Sequence, residues 1–340
     1  MNKLMKLFTS LLGLIIMVNI NLSTVTAQGE YLVSDELIHE EYPEESFKYE
    51  IIQQDVNDFL EGVAAYHNLE VTDFEHSSIP ELTMERYSFE NESYILSVAQ
   101  VENSIAYGYT RSEGFVYYDV QNVVKENGLE VSTEDDLSFA TREEITQEID
   151  TLIHSLGIEL DYSIELQSIT ANDMSTLLKE YFNFEGGDEE ISQIATDLYM
   201  ASVKFFIDDI PINDFTMGDY EAGIVAEDTV FQLTFSENGI ENADLRGYNQ
   251  VGERLNQINL NAEEIISLIE KKYNNIIILN DTQLSSLDLV YLHLLGSNTD
   301  VETEHYFPVW LGIVEQNVDG EIFQNYVFID AETKKELTLY

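Results

Sequence analysis

The sequence predicts an α+β fold: tandem units of a helix packed on an antiparallel sheet, placed after an N-terminal signal peptide. Three observations carry this. Capping residues followed by apolar positions at helical spacing stand at 141–157 and again at 261–273. Each is followed by β-branched and aromatic runs broken by turn residues. The chain opens on the three-part pattern of an export leader.

In that leader, Lys3 and Lys6 form a positive start. Residues 7–20 are apolar except for Thr9, Ser10, Gly13 and Asn19, and Val25-Thr26-Ala27 supplies small residues before Gln28. The apolar run is shorter than the ~20 residues a membrane span needs. Residues 1–27 therefore read as a signal peptide cleaved after Ala27, with an uncleaved anchor as the other reading. The chain has no Cys, which excludes lipidation on cysteine, disulfides, thiolate metal sites and cysteine nucleophiles. An exported protein without cysteine fits a bacterial exterior better than an animal one.

Charge narrows the partners. The 340 residues hold 65 Asp+Glu against 15 Lys+Arg, a formal net charge of -50. Phosphate recognition needs clustered Lys and Arg, so nucleic acid is excluded as a partner and anionic lipid is disfavoured. Hydrophobic residues at 44% and aromatics at 11% nevertheless suffice for packed cores. Such an excess of carboxylates suits a salty or alkaline exterior, or simply a soluble acidic secreted protein.

Residues 28–46 are acidic and without periodicity, and read as a flexible lead-in. Phe47, Ile51, Val56, Phe59, Leu60 and Val63 stand at near-helical spacing and predict a helix over 47–66. Residues 81–120 predict three or four antiparallel strands, with turns at Glu90-Asn91, Glu102-Asn103 and Ser112-Glu113-Gly114. These make an N-terminal α+β domain over 47–137.

The middle domain, 138–255, starts with Thr141 as a helix cap and Glu144 three residues on. Ile145, Ile149, Leu152, Ile153 and Leu156 line one face, and Gly157 ends the helix. A strand over 158–170, short helices over 172–182 and 188–198, and a strand over 199–207 follow. Asp208-Asp209-Ile210-Pro211 reads as a turn. Strands over 229–235 and 240–248 meet at Ser236-Glu237-Asn238-Gly239, a hairpin signal because Asn-Gly accepts positive φ.

The C-terminal domain, 256–340, repeats the plan. Asn261 caps a helix, with Glu264 at the capping-box position and Ile265, Ile266, Leu268, Ile269 and Tyr273 on its buried face. Strands are predicted near 275–280, 284–295, 305–315 and 323–330. Pro308 marks a bend or an edge, Trp310 a core anchor, and residues 330–335 a turn between two short final strands.

No arrangement of residues singles out chemistry. The histidines are His39, His67, His76, His154, His293 and His305, and none lies in a close-spaced ligand pattern. His67 and His76, with Glu70, Asp73 and Glu75, form the one loose group with metal-binding chemistry. His154 reads as a core-edge or surface residue. Gly186-Gly187-Asp188-Glu189-Glu190 is like the signature of cyclic-dinucleotide synthases, but capping explains it: two glycines make a loop and Asp188 caps the next helix. Glu134-Asp135-Asp136, Asp208-Asp209 and residues 300–304 read as solvated acidic loops with at most loose Ca²⁺ affinity. There is no EF-hand, GxSxG or SxxK motif. Asn91-Glu92-Ser93 and Asn280-Asp281-Thr282 match the glycosylation pattern. No catalytic, cofactor-binding or metal-ligating residue is assigned, and no cofactor is expected.

Tyr306-Phe307-Pro308-Val309-Trp310 and Asp330-Ala331-Glu332-Thr333 resemble the last hairpin of PepSY-like modules in Gram-positive envelope proteins, with Lys334 where that family has Gly. Over 138–340 the arrangement is similar to the extracytoplasmic regulators YycH and YycI and to a family of uncharacterised exported Firmicutes proteins. The resemblance implies tandem α+β modules and a binding or regulatory role at the cell envelope. It supplies no active-site residues. The function expected is that of an exported, non-enzymatic protein that binds a protein or peptide partner at an exposed sheet face or edge, by strand addition or groove binding, with no membrane span after cleavage. The alternatives are a secreted hydrolase working with carboxylates, and an inhibitor or folding helper for an exported peptidase.

Overall fold

The computed structural model describes residues 31–34, 37, 41–52, 54–80, 83–112, 117, 120, 123–124, 131–181, 191, 194–215, 217–219, 224–274, 281–296, 305–318 and 320–337. In chain order the elements begin with β1 (Tyr31–Val33), β2 (Glu45–Ile52), α1 (Val56–Tyr66), β3 (Glu75–Ile79), β4 (Met84–Glu90), β5 (Tyr94–Val101) and β6 (Ser104–Arg111). Next come α2 (Arg142–Ser155), β7 (Asp161–Ile169), α3 (Ala171–Glu180), β8 (Leu198–Ile207), β9 (Ile210–Pro211), β10 (Met217–Asp219), β11 (Ile224–Glu227), β12 (Val230–Ser236), β13 (Gly239–Tyr248) and β14 (Gln250–Asn259). The last are α4 (Ala262–Asn274), β15 (Thr282–Gly296), β16 (His305–Val318), β17 (Glu321–Asp330) and β18 (Glu336–Leu337). Among the described residues this is a mixed α+β fold of four helices and two largely antiparallel sheets. None of these helices is long and apolar enough to cross a membrane.

The chain divides into two compact units, both discontinuous. One holds the described residues of 31–42 together with Asn261–Asp288 and Leu311–Val327; the other holds Pro43–Leu260, Leu289–Trp310 and Phe328–Tyr340. The long strands β15, β16 and β17 each give one part to each unit.

The smaller unit is a helix laid on a sheet. Asn261 caps α4 by accepting the Glu264 N–H at 3.1 Å. Ile265, Ile269 and Tyr273 are buried, while Ile266 and Leu268 are only half-buried. β1 adds to β15 in parallel, from Tyr31 against Thr282 to Val33 against Leu284. The Tyr31 ring stacks on Tyr273 with centroids 5.3 Å apart. The helix sits close because position 312 is glycine: a Cβ there would lie 2.9 Å from Ile269 Cδ1.

In the larger unit an eight-strand path runs β3-β4-β5-β6-β13-β12-β8-β7, with β9 beside β8. The expected stretches 47–137 and 138–255 share this sheet through the antiparallel pairing of β6 with β13. Helices α1 and α2 pack on one face. Their buried sides are Val56, Phe59, Leu60, Val63 and Ala64, and Ile145, Ile149, Leu152 and Ile153. The capping box at Thr141 and Glu144 forms in both directions, and Gly157 follows α2 at φ +69. On the opposite face, Met174, Leu177 and Leu178 of α3 cluster with Ile169, Leu198 and Met200. The Ser236–Gly239 hairpin closes as expected, with Gly239 at φ +93. A second group of strands includes β2 paired with β14 and with the start of β16. Pro308 has no N–H to pair. It stands between Tyr306, which pairs with β2, and the point where its own carbonyl accepts from Ala331.

The helix expected over 47–66 is a strand and a helix. Residues 45–52 extend along β14, and α1 starts only after Asp55, whose carboxylate accepts the Asn57 N–H at 2.8 Å. Phe47, Tyr49 and Ile51 fit an extended chain better than a helix because alternation with polar residues outranks the looser 3.6 period there. The short final strand pair is β17, which is long, against β18 at Phe328 and Ile329. Of the helix expected over 188–198, residues 188–190 and 192–193 lie outside the described residues. Leu198 already opens β8. The strand expected over 275–280 also lies outside them.

At Gly62, a Cβ would collide with the Ser155 carbonyl oxygen, so the α1–α2 crossing requires glycine there. Gly62→Ala is expected to lower unfolding stability by about 1–3 kcal/mol through overpacking, read as a drop in the urea midpoint. Thr141→Ala is expected to cost about 1 kcal/mol by loss of the cap.

Candidate functional site

Histidine and acid groups marked in the sequence are placed apart. His67 follows the end of α1 and lies flat against Tyr109, centroids 5.1 Å apart, with Nε2 3.0 Å from the Tyr107 hydroxyl. Burial pushes its pKa down to about 4, so the ring is neutral. His76 pairs with Glu85 across the β3–β4 hairpin, and Asp73 accepts the Glu70 N–H. No group of three metal-ligating side chains forms among the described residues. His154 Nδ1 meets the carbonyl of Asp150 within its own helix. Asp136 caps the Arg142 N–H and Asp135 accepts from Ser132, so that acidic run serves the start of α2. Asp208 and Asp209 both take positive φ, and Asp208 is held by Arg254 at 2.6 Å and by the Tyr49 hydroxyl. Residues 186–190, 300–304 and Asn280 lie outside the described residues. Trp310 is fully buried, as are Tyr306 and Val309.

Sequence reasoning missed a charged cluster inside the larger unit. Glu227, at the end of β11, turns Oε2 to three donors. Ser104 Oγ lies at 2.5 Å, His293 Nδ1 at 2.9 Å and Asn249 Nδ2 at 3.1 Å. His293 is 2% exposed. Burial raises the cost of the carboxylate's charge, but the bonds from His293, Ser104 and Asn249 outweigh it and hold Glu227 below its ordinary range. The geometry is not that of a nucleophile relay. Ser104 donates to the carboxylate rather than to the imidazole, so the serine–histidine–acid order of such a relay is not formed. The cluster joins β6, β11 and β15 with the 249 turn, and reads as a packing device.

A shallow cleft of about 850 Å³ lies over β3, β4 and β5, bordered by Asp73, Glu75, Arg86, Phe89, Glu90 and Ile95. Glu75, Arg86 and Glu90 on its walls are exposed.

The strongest feature is a sheet edge in the smaller unit. Residues 321–326 of β17 are exposed on both faces, with Ile322 63%, Phe323 50% and Tyr326 45% exposed. Gln324 Nε2 reaches Glu315 Oε1 on β16 at 3.2 Å, which puts Ile322, Gln324 and Tyr326 on one face by the two-residue period. Val327 lies on the other, against the space that Gly312 leaves open to Ile269. The Ala331 N–H reaches Pro308 on β16, while the Asp330 N–H reaches Lys335 on the opposite side. Counting back by twos, the N–H groups of Gln324 and Ile322 point away from β16. Among the described residues β17 pairs on that side only at Phe328 and Ile329, with β18. Lys, Pro and bulges, the usual protections of a strand edge, are absent from residues 321–326.

No family model matches the chain, and no curated protein matches it. Among solved structures, the crystal structure of an uncharacterized protein from Eubacterium rectale ATCC 33656 is similar over 92% of this chain and 90% of that one. Its TM-score is 0.58 at 18% sequence identity. At that identity the likeness shows the fold alone.

Two acid transitions are expected. Neutral His67 contributes stability that is full above its ordinary 6.5 and is lost as pH falls through 6.5 toward about 4. Glu227 contributes stability that is full above its ordinary 4.5 and is lost as pH falls through its lower folded value. His67→Phe should therefore flatten the first limb of a urea-midpoint profile against pH. Glu227→Gln should lower the neutral-pH midpoint and flatten the second. A Glu227→Gln profile parallel to that of the parent would exclude the carboxylate as the source.

Proposed function

We propose that this is an exported binding protein of a bacterial cell envelope that takes up an extended segment of a protein partner along the open edge of β17. The observation that carries the reading is the row at 321–326: outward N–H groups at Ile322 and Gln324, flanked by exposed Ile322, Phe323 and Tyr326. Strand addition gains main-chain hydrogen bonds from such an edge and selectivity from alternate side chains. Export is supported by Lys3, Lys6, the apolar run and Ala27. The PepSY-like reading of the C-terminal part is supported by its order, a capped helix at 262–274 followed by long strands.

Gln324→Pro removes an outward N–H and spares the bonds to β16. The expected outcome is that a protein cross-linked to the mature chain in the envelope fraction is lost with Gln324→Pro, while circular dichroism and the urea midpoint stay as in the parent. Retention of that protein by the folded variant rejects the edge. The mature secreted chain should begin at Gln28 on N-terminal sequencing. A carboxylate hydrolase would instead show turnover of a wall substrate that Gln324→Pro leaves untouched.

A further inference from the structure

Resting on the edge reading above, we propose that the segment taken up by β17 is cationic: an extended stretch of another protein in which Lys or Arg alternates with apolar residues. Three features of the edge point to that chemistry. Residues 273–333 contain no Lys or Arg, so no cation stands in this stretch to repel one. Exposed Glu321 opens the edge strand, and Glu315 lies on the neighbouring strand on the face of Gln324, Ile322 and Tyr326. An added strand places its alternate side chains beside these two faces. Apolar residues would cover Ile322 and Tyr326, and ammonium or guanidinium groups would lie by the carboxylates.

The same charge argues against the other occupants. A second copy could pair β17 with β17 through identical hydrogen bonds, but each copy carries a formal charge of -50. Like charges at an interface oppose association and slow encounter. An acidic partner meets the same field. A cationic segment is drawn in by it, and the attraction weakens as salt screens it.

The test uses the full mature chain and three short synthetic peptides with one apolar pattern, whose intervening positions are Lys, Gln or Glu. Binding is read by fluorescence anisotropy at low and physiological salt, for the parent, for Gln324→Pro and for the double variant Ile322→Lys, Tyr326→Lys. The Lys peptide is expected to bind at least about tenfold more tightly than the Glu peptide at low salt, with the gap narrowing as salt rises. Gln324→Pro should lose binding of every peptide, and the double Lys variant should lose the Lys peptide most. Equal binding of the three peptides, all lost with Gln324→Pro, would overturn the cationic assignment and leave the edge reading standing. Binding of the Lys peptide that survives Gln324→Pro would be diffuse attraction to an acidic surface, and would overturn both. Dimerisation on sedimentation, abolished by Gln324→Pro, would give the edge to a second copy and overturn the cationic assignment.

Discussion

A largely buried carboxylate, Glu227, ties together strands in the interior of the larger unit. Glu227 is kept ionised by donors from Ser104, His293 and Asn249, which belong to separate strands and a turn. Removing any one donor leaves a buried charge short of a partner, and such losses cost more than the bond itself gains. The cluster therefore specifies how β6, β11 and β15 meet, rather than merely adding to stability. Nearby, Gly247 adopts φ +62 where any side chain would run into the Asp228 carbonyl, so the backbone beside the carboxylate is fixed as well. Thr229 closes the same region by donating to the Gly247 carbonyl at 2.8 Å.

Elements that are stabilised locally are legible from local signals. The box at Thr141, the cap at Asn261, the hairpin at Gly239 and the strands between 84 and 111 are each determined by residues within a few positions of one another, and each forms. The failures are non-local. β14 carries Gly252, Glu253, Arg254 and Asn256, with no alternation, and is a strand because β2 supplies its partners from about two hundred positions earlier in the chain. For the same reason β2 reads, from sequence, as part of the helix that follows it. Lacking its partner, Phe47 and Ile51 look like an extension of the α1 face.

The candidate edge shows the same division. A strand at 323–330 and the missing Lys and Arg of 273–333 are visible in the sequence. Which side of that strand is left open depends on sheet order, and hence on β18 pairing, among the described residues, at Phe328 and Ile329 alone. The Glu227 cluster was invisible for a similar reason: Glu227 and His293 are 66 positions apart and neither belongs to a motif. The tight Asp208-Asp209 turn was legible as a turn. Its two non-glycine residues at positive φ are the centre of a two-residue hairpin closed by Ile207 and Ile210, a turn that needs positive φ at both positions and accepts Asp there; Asp208 is also held by Arg254, whose guanidinium lies 4.7 Å over the Phe47 ring.

An open strand edge bearing Ile, Phe and Tyr is also a template for fibrillar stacking, and Glu321 is the one charge within residues 321–326 that blunts it. What separates one copy from the next is the ionisation of the surrounding carboxylates, in a chain whose isoelectric point is about 4.1. Colloidal behaviour is thereby tied to acidity: a medium acid enough to discharge those groups removes the repulsion and leaves the adhesive strand uncovered. The acidic composition thus acts as a built-in dispersant, and confines this protein to surroundings where its carboxylates stay charged.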